Sequence, residues 1–420
     1  MLEGQYVNMI NVEFSQTICK GSLRVVDDAA SVELYARAGI AEEDSNSLKA
    51  QDCSFDLDTI QRLWNRNIFS RPSDVALIGD RLAVLSKEVH TRGLEFTAFM
   101  TQQSEAVAIV TSEQVVEDIR RWDLGRVAIT TDSGQMAYRD IFVGSQVKDI
   151  LERFNLAVKA VLQEVSDWDN KSVGFSASPM TVLFAPGTGG YFVHEVFGHM
   201  LEGDFVAKGL SMFGKKIHIG EKVGPEGLNV IDDPSNFSEY VGLGLVDDEG
   251  ELLSGIELVS GGLLKGYLCN RETAKLLGNG MWTSCARRQS YKHKSIPRMR
   301  ATYIPQAGSG QNLSELIVDT ERGFLASQLM AGHANPLTGD FMLRCGRGYL
   351  VEDGRVTAPV RGATLHGNIL SVLQGIVAIG DDFEMLPLQC SKAGQIVPVC
   401  VGSPAIKVNG ITVRGPIDER

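Results

Sequence analysis

The sequence predicts an α+β protein in which an N-terminal α/β region precedes a large antiparallel β-rich C-terminal domain. Three observations predict it. Two stretches, around residues 73–89 and 145–165, repeat apolar residues at helical spacing. Between them the period falls to two, as a half-buried strand requires. Beyond Thr181 the chain reads as short strands separated by turn signals.

The elements follow in order. Residues 1–71 show little pattern beyond a polar tract from Glu42 to Asp52 and a short amphipathic stretch at Leu57, Ile60, Leu63 and Trp64. Ser73 offers an N-cap to a helix whose Ile78, Leu82, Leu85 and Val89 recur at spacings of 4, 3 and 4. After Gly93, alternation at Phe96, Ala98 and Met100, and later at Val107 and Ile109, indicates strands. Val127 to Thr130 then joins Met136 to Val143 through Asp132-Ser133-Gly134 as an antiparallel pair. A helix from Ser145 to Val165 carries Val147, Ile150, Leu151, Phe154, Val158, Val161, Leu162 and Val165 on one stripe. In the last region Asp247-Asp248-Glu249-Gly250, Ser260-Gly261-Gly262, Glu352-Asp353-Gly354 and Lys392-Ala393-Gly394 mark turns, and helices interrupt only near His194 and around Ile369 to Val377. The expected division is an N-terminal region at 1–71, a middle α+β domain at 72–180 and the β-rich domain at 181–420.

Composition excludes several classes. A chain of 420 residues with 44% hydrophobic and 22% charged residues has enough apolar surface for a large core, which excludes disorder as the main state. Forty basic against 52 acidic residues give a net charge of −12, which disfavours nucleic acid as a partner. Seven scattered cysteines do not form a disulfide framework and point to a reducing compartment. The N-terminus lacks a basic start with a long apolar run, and no stretch reaches the ~18 apolar residues needed to span a bilayer. A cytoplasmic protein without a membrane partner is the expectation.

Chemistry concentrates in one segment. Val182-Leu183-Phe184 reads as a strand, Ala185 to Gly190 as a glycine-rich loop, and Tyr191 to Asp204 as a helix beginning. The loop lacks the Gly-Lys-Ser/Thr ending of a nucleotide cradle. His194-Glu195 followed by His199 resembles the pattern of paired imidazoles beside a glutamate that binds a metal, but at a spacing of five. At roughly 100° per residue, positions five apart lie about 140° apart on a regular α-helix, so the spacing predicts a widened, π-type turn at Val196 to Gly198. Two of only seven histidines fall within six residues beside a glutamate that follows an apolar run, which favours ligands over two ordinary buried histidines. A buried Glu195 costs several kcal/mol without a partner, and a metal-bound water is a natural one.

A third ligand must come from elsewhere. His218, His293, His333, His366, Glu202, Asp204 and the cysteines are candidates. Cys390 follows the polar Asp381-Asp382 segment at what reads as a loop, whereas Cys400 alternates with valines and reads as core.

The run from His194 through Phe205 resembles the signature of the TldD/PmbA family of zinc peptidases, whose metal-bearing member has His-Glu-x-x-x-His followed by Leu-Glu-Gly-Asp. Further resemblance lies at Arg287 to Tyr291, Pro297 to Met299, Pro359 to Leu365 and Cys390 to Val399, so that it covers about Thr181 to Arg420. The resemblance implies one zinc ion per chain, held by His194, His199 and Cys390 on and near the helix of the β-rich domain, with Glu195 as general base. It implies a metallopeptidase acting on small or unfolded peptides, in leader-peptide maturation or peptide clearance. Such substrates would lie as extended strands against a sheet edge.

Further residues are expected around this centre. Glu202 and Asp204 are expected behind the ligands, orienting His199 or capping amides. Arg287, Arg288 and Tyr291 are candidates for holding a substrate carboxylate or oxyanion, against the alternative of a solvated charged face. His333 and Asn335 are candidates for substrate contact, against a polar turn in Gly332-His333-Ala334-Asn335-Pro336. The family's peptidase subunit tends to have a longer N-terminal region and a glycine run followed by Val-Asp, whereas Gly332 to Phe341 resembles the partner subunit without the metal motif. A homodimer is therefore expected, with a heterodimer containing a TldE/PmbA-like paralogue as the alternative. A non-catalytic regulator with a structural, four-ligand zinc is the rival reading, suggested by the family's association with DNA gyrase modulation.

Overall fold

The computed structural model describes residues 7–20, 36–39, 72–110, 115–132, 134, 136–142, 147–169, 173–278, 283–289, 293–360 and 362–415. Strands β1 (Val7–Lys20), β2 (Ala36–Gly39), β3 (Glu95–Val110), β4 (Val115–Thr130) and β5 (Met136–Ile141) form one antiparallel sheet in the order β2-β1-β3-β4-β5. Helices α1 (Pro72–His90) and α2 (Val147–Asp169) pack on it. The two predicted stripes meet there: Ile78, Leu82, Leu85 and Val89 of α1 join Phe96, Ala98 and Met100 of β3 and Ile150, Phe154, Val158, Val161 and Val165 of α2 in one core. Burying such side chains contributes ~1.5–3 kcal/mol each, which is why the apolar period predicts these elements well. α1 starts at Pro72, so Ser73 lies inside its first turn and not at the cap. Proline suits the first helical position because the N–H it lacks would have no intrahelical partner.

The rest of the described chain is β-rich. Strands β6 (Ser178–Phe184), β7 (Val230–Asp232), β8 (Ile256–Ser260), β9 (Leu263–Leu264), β10 (Ala286–Arg287), β11 (Ile296–Pro297), β12 (Ala301–Tyr303), β13 (Arg322–Ala334), β14 (Asp340–Glu352), β15 (Arg355–Val360), β16 (Ala363–Asn368), β17 (Ile376–Ile379), β18 (Glu384–Lys392), β19 (Gln395–Ser403) and β20 (Ile406–Arg414) follow one another. β13-β6-β20-β16-β14 closes on itself because β13 also pairs with β14, while β15 extends β14 and β17 extends β20. A second sheet has the order β18-β19-β12-β7-β8-β9, leaving β18 at an edge. Pairing is antiparallel except for β6 with β13 and β12 with β19.

A short helix, α3 (Thr188–Val196), contacts both β13 of the closed sheet and β19 of the open one. Its Phe192, Val193 and Val196 join Phe184, Phe324, Phe341 and Leu343 in the largest core. Polar groups are also buried here. Arg300 and Asp232 are fully buried and paired at 2.7 Å, and Thr302 Oγ1 donates to the same carboxylate at 2.6 Å. The N-terminal sheet is tied to this domain by Arg120 on β4, whose guanidinium reaches Asp248 at 2.5 Å and Asp118 at 3.2 Å, all three side chains being buried. No helix among the described residues is long and apolar enough to cross a membrane.

Candidate metal centre

β6 ends at Phe184, and Gly187, with φ of 76°, turns the chain into α3. The glycines that follow serve packing. A Cβ on Gly190 would lie 2.4–2.6 Å from the backbone of Gly402 in β19, so only glycine lets the helix approach the strand this closely.

The predicted π-type widening does not form. α3 ends at Val196, Phe197 leaves regular geometry at φ −116° and ψ −49°, and a separate 3₁₀ turn, Gly198–Leu201, carries His199. The two imidazoles therefore sit on two short helices with different axes, and the 140° count along one axis no longer applies. Gly198 packs closely as well, since a Cβ there would meet Met299 Sδ.

The break brings the rings of His194 and His199 to 4.9 Å between centroids, nearly perpendicular. Cys390 Sγ lies 3.4 Å from His199 Nε2. One ligand atom from each of His194, His199 and Cys390 lies within 4.8 Å of the other two, the one such group of three among the described residues. His194 is fully buried, and neither ring nitrogen has a hydrogen-bond partner. An unmade hydrogen bond of that kind costs ~1–3 kcal/mol, so a cation at the centre would relieve a real deficit. Two imidazoles and a thiolate form the nitrogen and sulfur set that zinc takes. With bonds of about 2.0–2.3 Å, tetrahedral ligand atoms stand roughly 3.3–3.6 Å apart, which the 3.4 Å contact matches.

The electrostatics agree with a cation site. Burial pushes the Cys390 thiol up, but the facing imidazoles outweigh it and bring its pKa down to about 4. By contrast burial raises Cys285 and Cys345 to about 12 and Cys269 to about 11. The five cysteines whose side chains are described are all free thiols. Cys390 is not on a loop but on β18, opposite Val397 of β19. The polar Asp381-Asp382 segment before it suggested a loop, but residues 384–392 pair with β19 along their whole length, and Pro387 is compatible with a strand at the sheet edge.

Behind the cluster of His194, His199 and Cys390 lies a charged layer. Glu202 is fully buried, and its Oε2 stands 3.1 Å from His199 Nδ1 and 2.9 Å from Lys392 Nζ. Burial alone would raise its carboxyl; His199 and Lys392 outweigh that and hold it at about 2. Glu202 and Cys390 in turn overcome burial at His199 and push its pKa well above the usual value. Lys392 also donates to Asp204 Oδ1 at 2.6 Å. Sequence reasoning missed Lys392. It lies two residues beyond Cys390 on one strand, hence on the same face, and reading residues 384–392 as a strand would have found it.

The remaining candidates scatter. Glu195 is half-buried on α3, next to His194, and Tyr191 one turn earlier donates from its hydroxyl to Met330 O at 2.8 Å. Arg287 is neither solvated nor at the ligands: it is buried, donating to Pro398 O at 2.6 Å and to Val241 O. Arg288 binds Asp248 through its backbone N–H at 2.7 Å and its guanidinium at 2.8 Å. His333 lies within β13, opposite Met342 of β14, and Asn335 Oδ1 accepts from Leu337 N at 3.0 Å as a turn residue does. Tyr291 lies outside the described residues. Cys400 is core, as its valine neighbours indicated.

Beside the ligands a cavity of about 270 Å³ opens between β4, β5, β13 and β18. Its wall includes Tyr191 of α3 and Gln389, the neighbour of Cys390.

Residues 177–415 match the family described as the PmbA/TldA metallopeptidase C-terminal domain. The chain is 38% identical over 246 residues, 58% of its length, to a protein of Haemophilus influenzae named "Metalloprotease TldD homolog". It is 28% identical over 350 residues, 80% of its length, to a protein of the same name from Buchnera aphidicola, 71% of which is covered. It is 33% identical over 239 residues, 57% of its length, to the "Zinc metalloprotease TldD homolog" of Saccharolobus solfataricus. The matched stretch spans about half the length of the first and third of these, 50% and 52%. Among solved structures, TldE from Thermococcus kodakarensis superposes with a TM-score of 0.66 at 17% identity, covering 98% of this chain and 96% of that one. This likeness extends the shared fold to the N-terminal sheet.

Proposed function

The chain belongs to the PmbA/TldD metallopeptidase family, and from that premise we propose that it is a zinc-dependent peptidase acting on small or unfolded peptides. The observation that carries this is the meeting of His194, His199 and Cys390, with ligand atoms within 4.8 Å of one another and His194 lacking any other partner. These three residues would hold one zinc ion, which supplies Lewis acidity and a water made acidic enough for a carboxylate to deprotonate.

The chain's own residues do the rest. Glu195 takes a proton from the attacking water and delivers it to the departing amine. Glu202 fixes the orientation of His199 through Nδ1, so that Nε2 points to the ligand cluster, and Lys392 fixes Glu202 in turn. The edge of β18 offers main-chain groups to an extended substrate, which makes recognition tolerant of sequence and excludes folded proteins. The engagement of Glu202 and Asp204 by Lys392 argues against their completing a closed, structural site. Leader-peptide maturation or peptide clearance in the cytoplasm suits such a substrate class, and the same reading includes a dimer, either of this chain or with a TldE/PmbA-like paralogue.

Metal analysis combined with peptide hydrolysis tests the reading. Glu195→Gln should keep about one zinc per chain while losing roughly 10²–10⁴-fold in rate. Full activity in that variant would end the proposal, and the solution mass of the purified protein, alone and with a paralogue, decides the assembly.

A further inference from the structure

The cavity beside the ligands contains three arginines, and two of them are engaged. Arg126 holds Asp140 through two bonds, at 2.5 and 2.8 Å, and lies 4.5 Å from the Tyr138 ring. Arg347 reaches Glu164 at 3.0 Å. Arg139, on β5, has no hydrogen-bond or ion-pair partner among the described residues, although it lines the same cavity. Burial, reinforced by the neighbouring Arg347, pushes its pKa down. Across the cavity Glu384, at the start of β18, has Arg139 as its foremost positive neighbour but makes no direct bond to it. A rigid fork of five N–H donors, largely withdrawn from water beside a second cation, is costly to keep unless an acceptor arrives. A carboxylate matches that fork in both shape and charge.

We propose that Arg139 anchors a carboxylate of the peptide substrate, and that β18 acts as a ruler between this anchor and the bond that is cut. The idea rests on the peptidase reading. Glu384, near the anchor, and Cys390, at the ligands, stand six residues apart on one strand. At ~3.3 Å per residue that is about 20 Å, so an extended peptide held by its terminal carboxylate would lose a C-terminal fragment of roughly five to seven residues.

The test uses the zinc-loaded protein and a fluorescent, unstructured peptide of about twelve residues, long enough to run past the cavity. The peptide is made as the free acid, as the C-terminal amide, and as the amide with an aspartate near the end. For the wild type the amide should raise KM about tenfold over the acid, the loss of one charge-assisted bidentate contact. Arg139→Gln should bring acid and amide to the same KM, with Arg139→Lys in between because it keeps the charge and loses the fork. Rescue of the amide by aspartate, if it depends on Arg139, assigns the carboxylate to a side chain and keeps the anchor. Equal KM for acid and amide in the wild type, or discrimination that survives Arg139→Gln, overturns the proposal. If no peptide is cleaved, the peptidase reading fails by itself, and fluorescence anisotropy with the same peptides still decides the anchor.

Discussion

Glu202 Oε2 lies 3.1 Å from His199 Nδ1, so one imidazole is held from behind by a carboxylate while its other nitrogen faces Cys390 Sγ at 3.4 Å. A carboxylate in this position fixes the ring's tautomer and makes it a more basic ligand. Glu202→Gln should therefore weaken zinc about 10–100-fold, read by competition with a chelator. An unchanged affinity would show that the pair holds the fold and not the ligand.

Zinc binding should depend on pH. In the metal-free protein His199 has a raised pKa and holds a proton that a cation must displace. Affinity should fall as pH falls, by up to about tenfold per unit, with about one proton released per zinc in calorimetry repeated in two buffers.

The stability of the metal-free protein should show the opposite signs of Cys390 and His199. Cys390, lowered to about 4, contributes stability that is complete above its unfolded value and lost as pH falls through about 4. His199, raised, contributes fully below its unfolded value near 6.5 and loses that contribution as pH rises through the folded one. Between about pH 4 and 6.5 the His199 contribution is constant while that of the thiol grows with pH, so the part of the stability that Cys390 supplies should rise there. Urea midpoints of wild type and Cys390→Ser should diverge across that window, and parallel curves would refute the assignment.

Gly190→Ala places a methyl group 2.4–2.6 Å from the Gly402 backbone, which has no flexible end to yield. α3 must then move off β19, at a cost of about 1–3 kcal/mol or more by overpacking. Zinc affinity should fall with stability, because the same helix carries His194; loss of stability with affinity intact would separate the two.

Asp232→Ala removes the partner of a fully buried Arg300 and the acceptor for Thr302. Leaving that guanidinium uncompensated should cost about 3–5 kcal/mol, seen as a large drop in the denaturation midpoint. A shift below about 1 kcal/mol would mean that water reaches the pair.

The sequence alone determined the elements whose signal is periodic and local: both long helices, the alternating strands between them and the turns at Asp353 and Ala393; it also pointed to His194, Glu195 and His199 as a candidate metal motif. Each is a pattern within a few residues, and burial rewards that pattern directly. It misread the ligand geometry, predicting a π-type turn where a broken helix and a 3₁₀ turn occur. It misread Cys390 as a loop residue, because a polar segment before it and a turn after it bracket what is one strand of a hairpin with β19. Only the tertiary structure brought Cys390 to His199 across 191 positions of sequence, set Lys392 against Glu202, and left Arg139 facing a cavity. Those relations follow from strand register and from which sheets pack against α3, and distant contacts of that kind leave no period in the chain to be read.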